Sequence, residues 1–191
     1  TTNGGATWAP IMDNAQSVAI GAIAISPSSP ETVYVGTGEP NFSADSYFGV
    51  GVYRIDNAST TATLSGPFNL DAGAANIFSG RAIGKIIVHP TNPAVIFVCS
   101  TSGVGGIISA ANNVLASRGI YRCDNATSAN PVFNKLTGFI GNLNVSVHDI
   151  AIDPANPNIL IAIPIATGVN QGGIYRSTNA LDPIPANVTF T

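Results

Sequence analysis

Ile23-Ala-Ile-Ser-Pro27-Ser-Ser-Pro30-Glu-Thr-Val-Tyr-Val35 is a phrase that this chain states three times. It returns as Ile86-Ile-Val-His-Pro90-Thr-Asn-Pro93-Ala-Val-Ile-Phe-Val98, and again as Ile150-Ala-Ile-Asp-Pro154-Ala-Asn-Pro157-Asn-Ile-Leu-Ile-Ala162. The first prolines lie 63 and then 64 residues apart. A second phrase follows each copy after a loop: Gly51-Val-Tyr-Arg54-Ile-Asp-Asn-Ala58, Gly119-Ile-Tyr-Arg122-Cys-Asp-Asn-Ala126 and Gly173-Ile-Tyr-Arg176-Ser-Thr-Asn-Ala180. A tandem repeat dictates architecture more strongly than any single motif.

Each copy reads as strands. Ile23 and Ile25 alternate with small residues at a period of two. Proline cannot donate to a ladder, so Pro-x-x-Pro stops the first strand and turns the chain. Val33-Tyr-Val35, Ile96-Phe-Val98 and Leu160-Ile-Ala162 form the second strand, the Gly-Val/Ile-Tyr-Arg phrase opens a third, and Phe68, Phe133 and Phe190 mark a fourth. A four-stranded antiparallel unit in tandem predicts propeller blades. The expected fold is all-β: a β-propeller segment of about three four-stranded antiparallel blades at 15–75, 76–141 and 142–191. Residues 1–14 are expected to be one outer strand of a preceding blade. Propeller rings hold ~4–8 blades, so the remaining blades are expected from a longer polypeptide or from partner chains.

Thr1-Thr-Asn3-Gly-Gly5-Ala-Thr-Trp8 resembles the Asp-box of bacterial neuraminidase repeats, with Asn3 in place of the usual Asp. That resemblance implies that Trp8 packs into a blade. The repeats themselves are similar to those of xyloglucanase-type glycoside hydrolases, of sortilin-type ectodomains and of secreted bacterial propellers. The resemblance covers nearly the whole chain and speaks to fold; such blades serve enzymes, receptors and scaffolds alike.

Composition sets the boundaries of function. Charged residues are 9% and apolar residues 45%, with net charge −3. A core can form, and no basic footprint for nucleic acid is present. No apolar run reaches the ~20 residues of a membrane helix. The Asn-, Thr- and Ser-rich surface suggests a secreted protein, extracellular or periplasmic. Cys99 and Cys123 end strands that are neighbours. Cys99 is expected opposite Gly119 or Ile120, and Cys123 opposite Val95, an offset of roughly 13 Å. A disulfide needs its Cα atoms within ~7 Å, so two free, buried thiols are expected.

Strand parity places the ligand face. The Pro-x-x-Pro turns share one side, and the long, variable connections share the other: 37–50, 101–118 and 164–172 within units, 71–82 and 138–147 between them. Variable loops on a constant scaffold usually carry recognition. The candidates there are Glu39, Asp45, Tyr47, Arg81, Asn112, Arg118, His148 and Asp149. Glu39 and Asp45 are weak calcium candidates, since hard cations take oxygen ligands; no other cofactor is expected. Arg81 has either a ligand carboxylate or its own loop to order. The repeated Arg54, Arg122 and Arg176 are expected to make inter-blade contacts.

Two function classes remain. One is a non-catalytic extracellular propeller for protein or glycan binding, or a structural subunit of a surface complex. The other is a carbohydrate-active hydrolase of the xyloglucanase or sialidase type. Such hydrolases generally need two carboxyls across one bond. The Arg-Thr-Asp-Ile-Gly-Gly-type stretch that carries a xyloglucanase-type Asp is replaced here by Gly36-Thr-Gly-Glu39-Pro, and one Arg falls short of a sialidase triad. Expected partners are other protein subunits, the rest of the chain itself, or glycan.

Overall fold

A computed structural model describes residues 1, 3–41, 43, 45–103, 115–142, 144–165 and 172–191. The chain is all-β, in three antiparallel sheets with no α-helix among the described residues. The first sheet has the order β1 (Ile20–Ser26), β2 (Ser29–Thr37), β3 (Val52–Asp56), β4 (Thr63–Phe68). The second repeats it with β5 (Ala82–Val88), β6 (Ile96–Thr101), β7 (Gly119–Cys123) and β8 (Phe133–Lys135). The third holds β9 (Val147–Ile152), β10 (Leu160–Pro164) and β11 (Tyr175–Ser177).

The repeated phrases fold in one register. Ile23 faces Val35, Ile86 faces Val98 and Ile150 faces Ala162. Across the next ladder Arg54 faces Tyr34, Arg122 faces Phe97 and Arg176 faces Ile161. The glycine that opens each third strand has a reason to recur. Gly51, Gly119 and Gly173 have φ of 137°, 148° and 135°, a region that a side chain would strain. The ladder also slips at one repeated place. Pairing skips Gly21, Gly84 and His148, the same position in each innermost strand. A bulge there sharpens the local twist and re-aims the side chain it carries.

Successive sheets pack face to face. β5 lies against β1 and β2, and β9 lies against β5 and β6. Tyr34 and Val52 of the first sheet share one apolar cluster with Ile83, Ile86, Val98 and Tyr121 of the second. Phe97, Cys99 and Ile120 share another with Val147, Ile150 and Leu160. A third, smaller cluster joins Val35, Tyr53 and Ile55 to Met12 and Ala15. Phe78 meets Tyr121 and Phe133 edge-on at 5.1 and 5.0 Å, and Phe139 meets Tyr175 and Phe190 in the same manner at 5.6 and 4.9 Å. Edge-to-face pairs of this kind add to area burial.

Two of the three repeated arginines, Arg54 and Arg122, stitch sheet to sheet as expected; Arg176 is exposed and makes no such bond among the described residues. Arg54 Nη1 donates to the Ala126 and Ser128 carbonyls, both at 2.8 Å. Arg122 donates to the Ala180 carbonyl at 2.7 Å and the Asp182 carbonyl at 2.8 Å. The accepting carbonyls occupy equivalent turns of the following unit. Asp56 and Asp124, two residues on, hold the Nε of each arginine at 2.8 and 2.9 Å. The accepting turns are themselves fastened at home: the amides of Ala58, Ala126 and Ala180 donate to the carbonyls of Glu31, Ala94 and Asn158.

Three expectations need correction. The described residues of 1–14, expected as an outer strand, run as turns and bends and belong to none of the three sheets. The third sheet has three strands, not four; its fourth position holds one reciprocal pair, Arg176 with Thr191 (2.8 and 2.9 Å), beside Phe190. Trp8 is 76% exposed instead of packed. The Asp-box-like turn does close: Asn3 Oδ1 accepts the Thr7 amide at 3.0 Å, and Trp8 Nε1 donates to the Gly5 carbonyl at 3.1 Å. The indole folds onto its own turn. Both thiols are free and buried; Cys99 faces Ile120, and Cys123 faces Ile96, one residue from the expected Val95.

Candidate functional site: a groove and a cleft on the long-loop side

The 37–50 connection is a braced loop. Thr37 Oγ1 ties its base, donating to the Gly51 carbonyl at 2.7 Å and accepting the Val50 and Gly51 amides. Ser100 fills the equivalent place and accepts the Gly119 amide at 3.1 Å. Further out, the Glu39 amide donates to the Tyr47 carbonyl at 2.8 Å, and the Tyr47 amide donates to Glu39 Oε2 at 3.0 Å. Glu39 therefore closes the loop with both backbone and carboxylate. Gly49 clips the far side to the next sheet through reciprocal 2.9 Å bonds with Arg81 and Gly80.

This bracing leaves a groove of about 480 Å³ between the loop and the segment before β1. Glu39, Tyr47, Phe48 and Val50 line one side, and Gln16 and Val18 the other. Tyr47 and Phe48 are exposed. An apolar trough with two exposed rings and one fixed carboxylate suits a ligand that offers a flat, partly apolar face with hydroxyl or amide donors. Asp45 stands apart on the same loop, where the Ser43 hydroxyl donates to its Oδ1 and holds its carboxyl below the ordinary range.

A second cleft, of about 400 Å³, gathers Gly84, Lys85, His148, Asp149 and Ile163. Lys85 Nζ meets Asp149 Oδ1 at 2.9 Å, with both side chains about half exposed. Asp149 Oδ1 also accepts the Ile150 amide at 2.9 Å. His148 is exposed at the bulge. The structure thus brings His148 and Asp149 to one cleft, and Glu39 and Tyr47 to another. It does not bring Glu39 and Asp149 together.

The arginine candidates order loops. Arg81 is buried and gives Nε and Nη2 to the Ala116 carbonyl at 2.9 and 2.6 Å. Burial, with Arg118 nearby, brings its pKa down to about 10. Arg118 binds Asn144 Oδ1 at 3.0 Å and the Asn144 carbonyl at 2.8 Å, and reaches Ser146 Oγ at 3.2 Å. It fastens the 115–118 stretch to the connection before β9. Asn112 lies outside the described residues.

Calcium would need six to eight oxygens. Among the described residues no group of three or more His, Cys, Asp or Glu is placed to hold a metal ion, and the Glu39 and Asp45 carboxylates each have a loop partner. No protein-family model matches the chain, and no curated protein matches it.

The sequence reading missed Lys85. The signal was there: Lys85 and Asp149 occupy the same repeat position in consecutive units, with opposite charge. It also left out Gln16 and Val18, which precede β1 and complete the groove at Glu39.

Proposed function

We propose that this chain is a run of β-propeller blades acting as a non-catalytic extracellular module, which binds protein or glycan on its long-loop side or builds a surface complex. Three units in one register, each bulged at one place, with the first and second each clasped by an arginine to the unit that follows, support the propeller reading. The observation that carries the non-catalytic reading is the separation of acids. Among the described residues, the groove at Glu39 is lined by no second carboxylate, and the cleft at Asp149 by none either. A glycosidase of the xyloglucanase type needs two carboxyls within about 5–9.5 Å across one bond.

Tyr47 and Phe48 are the contact residues on this reading, with Glu39 holding their loop. The protein partners are other subunits or further blades, and the location is outside the cytoplasm. A glycan array run beside a hydrolysis screen on the intact protein tests the proposal. Tyr47→Ala with Phe48→Ala should lower binding at least about tenfold and leave the fold unchanged. Turnover that disappears in Glu39→Gln or Asp149→Asn would instead establish a hydrolase.

A further inference from the structure

The junction of the first and second units leaves open a place that the junction of the second and third fills. Equivalent bonds mark equivalent turns. Arg54 donates to the Ala126 and Ser128 carbonyls, and Arg122 to those of Ala180 and Asp182, so Ser128 matches Asp182. Asn125 Oδ1 accepts the Val132 amide at 2.9 Å and Asn179 Oδ1 accepts the Thr189 amide at 3.0 Å, so Val132 matches Thr189. Between those points the second unit has Ala129-Asn130-Pro131, and the third has Pro183-Ile-Pro-Ala-Asn-Val188, three residues more. The longer segment forms a 3₁₀ turn at Pro185–Asn187 that packs on β8, and its Ala186 carbonyl accepts from Thr137 Oγ1 at 3.4 Å.

At the earlier junction the same place lies over the end of β4. Phe68 pairs with Val52 as Leu136 bonds Ile120, and the Leu70 carbonyl takes the Phe133 amide where Gly138 bridges Thr189. The short turn does not fill the space, and a groove of about 500 Å³ remains. Pro67, Phe68, Leu70, Pro131 and Val132 give it apolar walls, and Leu70 is 43% exposed there. The Arg54 guanidinium backs the Phe68 ring at 5.8 Å from the centroid. Asp71 is the one charged residue lining the groove among the described residues. The Gly73 and Ala75 amides fix its Oδ1 at 2.8 and 2.9 Å. The groove lies in mid-chain, and both walls belong to four-stranded sheets. We infer that it receives a short, apolar, proline-containing turn of a partner protein, of the kind that Ile184-Pro185-Ala186 supplies at the next junction, with a basic residue set against Asp71. The chain's own turn shows which shape such a junction accepts. Aliphatic and proline walls with a single ring suit a peptide better than a sugar face, and proline in the incoming turn lowers the entropy cost of ordering it. The inference stands on the first two sheets and does not need a ring to close.

Nitrogen-15 amide spectra of the chain, titrated with a capped peptide that copies Pro183–Asn187 behind one added lysine, test it. Saturable shifts should appear at Leu70, Ala72 and Val132, with a dissociation constant of about 1 mM or tighter. Inserting Ile-Pro-Ala between Ala129 and Asn130 fills the groove from within the chain and should weaken peptide binding at least about tenfold. Ala129→Tyr, at an exposed position on the groove wall, should do the same without lengthening the turn. A peptide with glutamate in place of the lysine should bind about threefold less tightly. The absence of any saturable shift overturns the inference. So do shifts centred on Tyr47 and Phe48, and so does binding that survives in both filled variants. Equal binding of the glutamate peptide overturns the pairing with Asp71.

Discussion

Arg122 and Arg176 are the same residue in the repeat and should behave as opposites. Arg122 is 2% exposed and serves two carbonyls and a carboxylate. Arg122→Ala leaves the Ala180 and Asp182 carbonyls without their charged donor, and should cost about 2–4 kcal/mol in urea unfolding. Arg176→Ala in the single chain should stay within about 0.5 kcal/mol. Ser26 offers a contrasting case. Its hydroxyl is fully buried and has no hydrogen-bond partner, so Ser26→Ala should be neutral or stabilise by up to about 1 kcal/mol. At this scale the sequence was legible wherever a residue recurs. Three arginines in one place implied one job, and two of them do it. Where a residue occurs once its context decides: Trp8 sits in a good motif yet is exposed, and the motif alone could not say so.

The Pro-x-x-Pro turns show how one element tolerates different chemistry. Asp153 Oδ1 accepts the amide two residues on, from Ala155, at 2.8 Å. His89 Nδ1 does the same for Thr91 at 3.2 Å. That bond needs a bare nitrogen, and burial already lowers the His89 pKa from its ordinary value. The unfolded chain therefore binds this proton more readily than the folded one, and stability should fall as pH drops below the ordinary histidine range near 6.5. His89→Asp should preserve the turn and remove that acid-side slope, read as urea midpoints between pH 7 and 5. The strand pattern around these turns was plain from Ile23, Ile86 and Ile150 and their alternation. The bulge at Gly21, Gly84 and His148 was missed, although it breaks the alternation into a three-residue step at Ile20–Ile23, Ile83–Ile86 and Val147–Ile150. The groove at Glu39 was half legible: loop length pointed to Tyr47, whereas Gln16 and Val18 reach it only through tertiary packing.

At the scale of the whole molecule, burial keeps Tyr34, Tyr121, Cys99 and Cys123 protonated. Tyr34 donates to the Pro93 carbonyl at 2.7 Å from within the interface of the first two sheets, and its pKa is raised. Tyr121 is pushed up to about 12 and Cys123 to about 11, and Cys99 is raised as well. In the unfolded chain these groups lose protons sooner than in the folded one, so stability should decline as pH rises above about 9. An alkaline unfolding series on the wild type and on Tyr34→Phe checks it; the variant should lose part of the slope along with the Pro93 bond.

The arginine stitches carry one more consequence, for motion. Each ties a strand of one unit to a turn of the next, so the middle unit is gripped from both sides and the third from one. Repeat arrays of this kind melt according to nearest-neighbour coupling. In an isolated chain, amide exchange with heavy water should therefore be slowest in β6 and β7 and fastest in β11, with β2 and β3 between them, a gradient of protection running along the chain.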